Sequence, residues 1–557
     1  MNDRPTVPSP ERLALAAGWA LVLAPVIAHA IWRPLLVELG TDGDAGLVTI
    51  AALGVATAAV LARRLAPPAR AGLAGLGVGA TAMVAALAIG STGSAFVPAA
   101  AALVAVAALV SLALPTVLAR TPAALDGLAR KQPGATLAVG ALWALMVVQS
   151  ARLSTFMGDV SRRECAPIAA AAHFDHHACL TAYVQAARLA EARVDNLYDA
   201  DWWPSLGHST TGEAQARAYA PFELDAYAYP PPFLLAPHLL RLTSADFSAQ
   251  RALWYGLQGL TLAVGLWVVG VWVAGTNARA GVRTLVLAPL IWITPPVLIT
   301  LQAGNVHLAV VVLAILGMIA LRSERPALGG ALLSFAILAK ISPGLLGIVL
   351  LCQKRWRDAL WTAGFGLVWT LLAWAVFGSA PFVAFVNYQL PRLRSGEALE
   401  FFTRSAIDTA VNMAPSSIPY KLAALGLPVG DVAGAVATIG TLFTVAVIAL
   451  AIVAGRRSGE PWTQVGLWLA VLTLGALRSP MAPGYVGFAA IWLLSLWSVE
   501  ARRPRDAVGF GLAFVLLSIA LPIGEVGLLT LSMVQQTALV GITVWFITRP
   551  SRSATGY

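Results

Sequence analysis

The chain has 557 residues, of which 58% are hydrophobic and only 11% are charged. A soluble protein of this length needs far more charge to cover its surface, so the composition excludes that class and indicates a polytopic α-helical membrane protein. The formal net charge of +10 does not indicate a nucleic-acid partner, because we attribute it to arginines that flank membrane spans.

Many uncharged segments reach the length of about 20 residues that a helix needs to cross a hydrocarbon core. The first apolar run is too long for a signal peptide and has no clear small-residue cleavage site, so it predicts a span. The predicted spans are 12–34, 46–62, 71–92, 96–119, 135–152, 252–275, 284–301, 306–321, 357–378, 432–454, 462–477, 483–499, 507–521 and 527–548. A broken apolar pair, 327–338 and 342–352, precedes the span 357–378.

The short loops between these spans predict the orientation of the chain. Eight segments that carry Lys or Arg fall on one side: 63–70, 119–132, 277–283, 322–325, 353–358, 455–459, 500–506 and 549–553. The positive-inside rule makes this side cytoplasmic, and both termini join it. The loop 37–46 contains acids and no Lys or Arg, and it falls on the opposite side.

Two long polar segments, 153–230 and 379–431, both fall on the outer side. A membrane protein with little mass inside and two elaborated outer loops is expected to work at the outer face of the cytoplasmic membrane. We expect residues 1–134 to be an N-terminal addition of four spans and residues 135–506 to be the core. Two spans and a cytoplasmic tail then form 507–557.

The stretch "DAYAYPPPFLLAPHLL" (225–240) interrupts this pattern with three consecutive prolines. Proline fixes φ and disfavours a helix before it, so the chain is expected to arrive extended and to turn stiffly. The apolar run that follows is too short to span and predicts a short helix at the membrane interface. Tyr227 and Tyr229 would lie at headgroup level, where tyrosine is favoured. The same stretch is also explained as a rigid turn and nothing more.

Cys165 and Cys179 both lie in the first outer loop, where an oxidising compartment permits a disulfide. Two unpaired cysteines remain the alternative. The run "HFDHHAC" (173–179) contains residue types that zinc uses, but two of its histidines are adjacent and no second ligand cluster is visible. We therefore expect a polar loop surface here, no metal site, and no cofactor, although a divalent metal is not excluded.

Five patches in order carry a resemblance to a known family. They are "AYVQAARLAEARVDNLYD" followed by "YAYPPPFLLAPHLL", then "LQAGNVHLAVVVL", "GGALLSFAILAKISPGLLGIVLLCQKRWR", "VNMAPSSIPYKLAALGLP" and "LRSPMAPGYVGF". Together they resemble the glycosyltransferase family 87 (GT87) enzymes of the GT-C class over roughly 135–500. The chain departs from the family pattern at Asn305 and His307, in lacking a Trp and a His near "LRSP", and in having Cys179 where an acid is expected.

The resemblance implies an all-α, GT-C-like transmembrane helix bundle with a catalytic core at 135–506. It implies transfer of a hexose, with mannose as the expected sugar, from a polyprenyl-phosphate donor to an acceptor hydroxyl, with inversion. The acceptor would be a glycolipid, a polysaccharide or a protein. Such a transfer needs a carboxylate base at the acceptor hydroxyl and cationic or hydrogen-bonding groups at the departing phosphate.

Several acids of the first outer loop are candidates for the base. GT-C enzymes are similar in placing an Asp shortly after a span, and Asp159 comes about seven residues after the predicted span 135–152. A carboxylate held near the membrane boundary can serve as a base. Asp175 is the next candidate, because it is nearest in sequence to the departure at Cys179. Further alternatives in the same loop are Asp195, Asp199 and Asp225.

Lys340 is the leading candidate for the donor phosphate, because it interrupts an uncharged stretch from Ala327 to Leu351. A charge in such a stretch is costly and indicates function, and the broken pair places it near the outer tip of a hairpin. A lysine that extends to the outer interface is the alternative. The other candidates for donor or phosphate binding are Arg392, Arg404, Arg478, Asn305 and His307; Arg394 shares the loop of the first two. The arginines are equally explained as loop surface, and His307 as a packed neutral residue.

A transporter or flippase of a lipid-linked sugar or small solute is the alternative function. Broken helices and charges inside the membrane are common in transporters. The sequence shows no inverted repeat, and its charges gather at the outer level, which favours the transferase. A cavity open only to the outer leaflet would distinguish the transferase from a transporter.

Overall fold

The computed structural model of the protein describes scattered positions between 120 and 154 and residues 156–166, 176–206, 210–398, 403, 405–457, 459–498, 504–519 and 524–549. The predicted spans 12–34, 46–62, 71–92 and 96–119 lie outside the described residues, and so do Asp175 and Arg404. Across the described residues the chain is helical, with one isolated antiparallel bridge between Asn412 and Pro483.

The helices run in the following order. Residues 176–243 contain α1 (Cys179–Glu191), α2 (Thr210–Ala216) and α3 (Leu235–Thr243). The central part contains α4 (Phe247–Ala274), α5 (Ala278–Val286), α6 (Ala288–Trp292), α7 (Pro295–Ala303), α8 (His307–Arg322), α9 (Pro326–Ala339), α10 (Leu345–Cys352) and α11 (Trp356–Phe377). The segment 379–431 and the C-terminal part contain α12 (Ala380–Ala384), α13 (Leu390–Ser395), α14 (Ala406–Val411), α15 (Ile418–Ala424), α16 (Val432–Arg456), α17 (Pro461–Leu477), α18 (Phe488–Trp497), α19 (Pro504–Ser518) and α20 (Gly524–Thr548).

Four of these helices, α4, α11, α16 and α20, are long and apolar enough to cross a membrane, and Ala278–Trp292 with Pro295–Ala303 makes a fifth if counted as one span. The predicted fold class, an all-α polytopic membrane protein, is confirmed. Shorter apolar helices stand at the predicted spans 306–321, 462–477 and 483–499. The broken pair also occurs as predicted, because α9 ends at Ala339 and the chain is helical again over Ser342–Cys352.

The predicted span 284–301 is not one straight helix, because Ala278–Trp292 and Pro295–Ala303 are bent by 60° at a break between them. The chain forms three helices there, α5, α6 and α7, and both later ones begin with proline at the first or second position. Proline lacks an N–H donor and clashes with the preceding helical turn, so it begins helices and does not continue them. Pro289 and Pro295 therefore divide what hydropathy alone reads as one segment.

The described chain forms two compact units, the first from residues 1–169 and 242–293 and the second from 170–241 and 294–557. In the first unit α4 packs against α5. Arg251 of α4 is 2% exposed and donates from Nη1 to the carbonyl oxygens of Phe156 (2.8 Å) and Met157 (3.2 Å). These hydrogen bonds from a buried guanidinium to backbone carbonyls hold α4 against the segment that directly follows the predicted span 135–152.

In the second unit α9 packs closely between α8 and α11. A Cβ atom on Gly330 would lie 2.7 Å from the backbone carbonyl carbon of Trp361, and one on Gly317 would lie 2.9 Å from the backbone nitrogen of Leu333. No side chain fits at such distances, so glycine is what allows these backbones to approach. The Gly-rich sequence of this region is therefore a helix-packing feature.

The triple-proline stretch lies inside the second unit. Pro231–Leu234 form a buried 3-10 helix that contacts α1, α9 and α11, and α3 follows it. Tyr227 is 2% exposed, and its ring lies 5.6 Å from that of Tyr229. The predicted turn and short helix are both present, but these rings pack against other aromatic rings of the protein. Aromatic residues that suit a membrane interface suit a protein interior equally well, and composition does not separate the two.

Candidate active site

Lys340 stands at the point where α9 stops. Its backbone is extended (φ −147°, ψ 123°), and its N–H still donates to the carbonyl of Ala336. The Nζ atom lies 5.3 Å from the ring centroid of Tyr485 and 6.0 Å from that of Tyr229. Within the described part of the chain no carboxylate pairs with it. Aromatic faces stabilise a cation at these distances and leave its N–H donors available for an anion.

Asn305 links three segments of the second unit. It follows Gly304, which ends α7 in the left-handed conformation (φ 68°) that glycine adopts without strain. Its Oδ1 accepts from the N–H of His307 at 2.9 Å and so caps the start of α8. Its Nδ2 donates to the hydroxyl of Tyr485 at 2.9 Å and to the Sγ atom of Cys179 at 3.3 Å. The side chain is 2% exposed, so these contacts are made away from water.

His307, the first residue of α8, is 2% exposed. Its ring lies 5.7 Å from that of Tyr485, and neither of its nitrogens has a hydrogen-bond partner among the described residues. Buried polar atoms are nearly always paired, so an unpaired imidazole beside Lys340 and Asn305 is typical of a ligand-binding position.

Two tyrosines hold the proline stretch to α1 and α8. The hydroxyls of Tyr183 and Tyr229 lie 2.9 Å apart with their rings edge to face, and the backbone N–H of Val306 donates to the Tyr183 hydroxyl at 3.3 Å. Burial raises the pKa of both phenols well above the ordinary value. Both therefore stay protonated at any physiological pH and act as hydrogen-bond donors.

A carboxylate, an imidazole and a thiol meet on the other side of Asn305. The Nδ1 atom of His177 lies 3.4 Å from Oδ1 of Asp225, and its Nε2 atom lies 3.4 Å from Sγ of Cys179. Burial lowers the pKa of His177, but Asp225 and Cys179 raise it by more, so its pKa lies well above the ordinary value. An imidazolium facing the carboxylate holds Asp225 in place.

The backbone fixes this group before any ligand arrives. The hydroxyl of Thr181, in the first turn of α1, donates to the carbonyl of Glu223 (3.0 Å) and accepts from the N–H of Asp225 (3.2 Å). The N–H of Glu223 donates to the carbonyl of His176 at 2.8 Å. Three hydrogen bonds thus tie the segment 223–225 to the start of α1, and distant parts of the loop become neighbours.

The structure brings several of the predicted site residues together within the second unit. Lys340, Asn305, His307 and Tyr229 share one cluster, whereas Asp159 lies in the first unit. The Asp159 carboxylate is 55% exposed and accepts from the N–H (3.0 Å) and hydroxyl (2.6 Å) of Ser161. This local turn gives it a structural role, and its role as base stays a prediction.

Of the predicted arginines, Arg392 lies in the segment 379–431 and Arg478 directly follows α17. Arg392 donates to Glu397 (2.7 Å) and to the Tyr388 hydroxyl (3.0 Å), so a carboxylate already pairs with it. Arg478 follows α17 and is exposed. Phosphate binding by either arginine remains a prediction.

The disulfide between Cys165 and Cys179 stays a prediction. In the structure both are free thiols, and they belong to different units. The Cys179 thiol instead contacts His177 and Asn305. Cysteine spacing in the sequence gives no separation in space, and this is why the pairing could not be read from it.

Three members of the cluster were not predicted as site residues. Tyr183 and Tyr485 have no charge to mark them, and only their places in two family-like patches point to them. His177 stands in the run "HFDHHAC", but its partner Asp225 is far along the chain, and no periodicity predicts their contact. With these residues, the cluster contains a free cation, an unpaired imidazole and a carboxylate–imidazole pair.

Residues 227–480 match the family model of glycosyltransferase family 87. This match supports a GT87-like glycosyltransferase. The resemblance seen in the sequence is thereby confirmed, and the GT-C class is consistent with it. The matched region of this GT87-like protein includes Asn305, His307 and Lys340, whereas His177, Cys179 and Asp225 precede it. No curated protein and no solved structure matches the chain.

Proposed function

We propose that this GT87-like protein transfers a hexose, with mannose as the expected sugar, from a polyprenyl-phosphate donor to an acceptor hydroxyl. The acceptor is a glycolipid, a polysaccharide or a protein, and the transfer takes place at the outer face of the cytoplasmic membrane with both termini inside. The observation that carries the proposal is the cluster around Asn305. Through Tyr485 this residue is linked to the ammonium of Lys340, which has no carboxylate partner among the described residues, and through Cys179 and His177 it is linked to the carboxylate of Asp225.

Lys340 is assigned to the donor. As the bond between the sugar C1 and the phosphate oxygen breaks, the oxygen leaves with the electron pair and carries the developing negative charge. An ammonium already in place stabilises that charge without reorganisation, which is the largest contribution in many such sites. The aromatic faces of Tyr229 and Tyr485 hold the ammonium, and His307 is placed to bind a phosphate or sugar oxygen.

Asp225 is assigned to the acceptor. Its carboxylate takes the proton of the acceptor hydroxyl while that oxygen attacks C1 from the face opposite the phosphate, so the configuration inverts. The side chain is 23% exposed, which leaves it accessible to an incoming hydroxyl, and Thr181 and His177 fix its position. Asp225 displaces Asp159 and Asp175 as the preferred base, and those two remain the rivals that an experiment must separate.

The test is transfer of labelled mannose from polyprenyl-phosphate-mannose in proteoliposomes that contain wild type, Asp225→Asn, Asp159→Asn, Asp175→Asn or Lys340→Met. We expect Asp225→Asn to lower the transfer rate by about 10²- to 10⁴-fold, the usual contribution of a positioned base. Asp159→Asn serves as the matched control and should retain most of the rate. Thermal unfolding in detergent confirms that each variant is folded.

Two results would overturn the assignment. Loss of transfer in Asp159→Asn or Asp175→Asn, with Asp225→Asn active, would move the base. Inactivity of the wild type with polyprenyl-phosphate-linked mannose, glucose and galactose, combined with solute uptake or lipid-linked sugar movement in the same vesicles, would favour a transporter or flippase.

A further inference from the structure

Three ligand types meet at the start of α1. A ring nitrogen of His177, the Sγ atom of Cys179 and a carboxylate oxygen of Asp225 all lie within 4.8 Å of one another. The side chains of His177 and Asp225 are 21% and 23% exposed, so the group is sheltered and still reachable from water. Zinc sites in proteins use these three side-chain types, with bonds of about 2.0–2.3 Å.

The ligands are arranged in advance by their backbone. His177 and Cys179 are two residues apart at the start of α1, and Thr181 bonds to both Glu223 and Asp225 across the loop. Tetrahedral bonds of these lengths separate neighbouring ligand atoms by roughly 3.5 Å. The contacts of 3.4 Å from His177 to Asp225 and to Cys179 are close to that separation. Small rotations of the three side chains would place their ligand atoms around one metal position.

A second observation concerns the thiol. The Nδ2 group of Asn305 donates to Sγ of Cys179 at 3.3 Å. Hydrogen bonds from neighbouring groups orient the ligands of metal sites and stabilise a thiolate, and they are a regular part of such sites. The thiol is thus held by the same asparagine that contacts Tyr485.

We propose that His177, Cys179 and Asp225 bind a Zn²⁺ ion. A mixed nitrogen, sulfur and oxygen set selects a borderline cation, whereas Mg²⁺ and Ca²⁺ prefer oxygen ligands alone. Three protein ligands leave one coordination position for water. Because the ion occupies the carboxylate of Asp225, zinc-loaded protein is inhibited in sugar transfer. This inhibition rests on the proposed function, whereas the binding itself does not.

The binding is tested by titrating purified full-length protein in detergent with Co²⁺, which replaces zinc and reports a thiolate ligand by a charge-transfer absorption band. We expect one equivalent of Co²⁺ to produce the band and Zn²⁺ to displace it. Cys179→Ser should abolish the band, and Asp225→Asn or His177→Gln should weaken affinity by at least ~10-fold. Cys165→Ser and Cys352→Ser are matched controls that should leave the band unchanged.

No band in wild type, or a band that persists in Cys179→Ser or disappears in Cys165→Ser, would overturn the proposed site. If Cys179→Ser does not fold, the Co²⁺ band of the wild type and the weaker Co²⁺ affinity of Asp225→Asn still test the proposed site. The spectroscopic result does not depend on glycosyl transfer, so an inactive enzyme with a Cys179-dependent band would refute the proposed function alone.

In active protein, the rate with Zn²⁺ divided by the rate without it should fall well below one in wild type and return to one in Cys179→Ser. A wild-type ratio near one in metal-loaded protein would refute the inhibition.

Discussion

The Nδ2 group of Asn305 donates a hydrogen bond to the hydroxyl oxygen of Tyr485 over 2.9 Å. This bond joins the turn after α7 to the turn before α18, and the ring of Tyr485 in turn lies 5.3 Å from Nζ of Lys340. The position of the cation thus depends on a neutral amide that acts on it through the ring of Tyr485. Asn305 is therefore a positioning residue for Lys340.

Asn305→Asp tests this positioning role. The aspartate keeps the acceptor for the N–H of His307 but removes both N–H donors and adds a negative charge. We expect transfer to fall by about 10-fold or more, with a raised KM for the donor, because a nearby carboxylate competes with phosphate for Lys340. Tyr485→Phe keeps the ring and loses only the hydroxyl, so its loss should be smaller. An equal loss in both variants would contradict the charge argument.

Lys340→Met tests the phosphate assignment, because methionine keeps much of the side-chain length and removes the charge. We expect kcat/KM for the donor to fall by about 10²- to 10³-fold, the effect of removing one positioned group at a developing charge. Lys340→Arg keeps the charge with a different shape and should recover part of the activity. Steady-state kinetics in proteoliposomes measure both. Full activity of Lys340→Met would refute the assignment.

Gly330→Ala should destabilise the protein. The added Cβ would lie 2.7 Å from the backbone of Trp361 in α11, and overpacking of this kind costs about 1–3 kcal/mol. Gly347→Ala is the matched control on α10, where no atom lies within 4 Å of the new Cβ and helix propensity favours alanine by up to ~1 kcal/mol. Thermal unfolding in detergent compares the two. Equal melting temperatures would contradict the close approach of the helices.

The buried amine of Lys421 predicts a pH dependence of stability. Lys421 is 0% exposed, and its Nζ donates to Oε1 of Gln536 at 3.2 Å. Burial lowers the pKa of Lys421 to about 7, from 10.5 for an ordinary lysine. Between these values the unfolded chain binds the proton and the folded chain does not, so stability rises with pH over this range.

Lys421→Met should remove that contribution. The free energy of unfolding of wild type should then rise more steeply between pH 7.5 and 9.5 than that of the variant, by up to about 1.4 kcal/mol per pH unit. Unfolding curves at three pH values in this interval measure the difference in slope. Parallel slopes would mean that Lys421 remains charged in the folded protein.

The sequence predicts the helices of this protein well, because the length of an uncharged segment is set by the membrane. The break at Lys340 is also predicted correctly, because a charged residue interrupts an otherwise uncharged stretch there. The division of 284–301 was missed because hydropathy does not register where Pro289 and Pro295 begin helices. The burial of Tyr227 was missed because an aromatic stretch suits a membrane interface and a protein interior equally well.

The contents of the site were harder to predict than its place. Asp225 was one of several loop acids, and nothing in the sequence shows that Thr181 holds it beside His177. Contacts of this kind depend on a hydroxyl in the first turn of one helix and on backbone groups far along the chain. The sequence marks Cys179 as a possible disulfide partner, as part of the run "HFDHHAC" and as a departure from the family pattern. None of these predicts its contact with Asn305, by which it enters the same cluster.

The glycines of α8 and α9 have a consequence for how substrates are accommodated. Because Gly317 and Gly330 leave no room between α9 and its neighbours, the hairpin that carries Lys340 cannot slide past them by a helical turn. The ammonium is thus a stationary reference point, and in the proposed reaction the lipid-linked donor must come to it. Tolerance toward acceptors of different shapes is then expected to come from the loop segments, where sequence changes leave the reference point undisturbed.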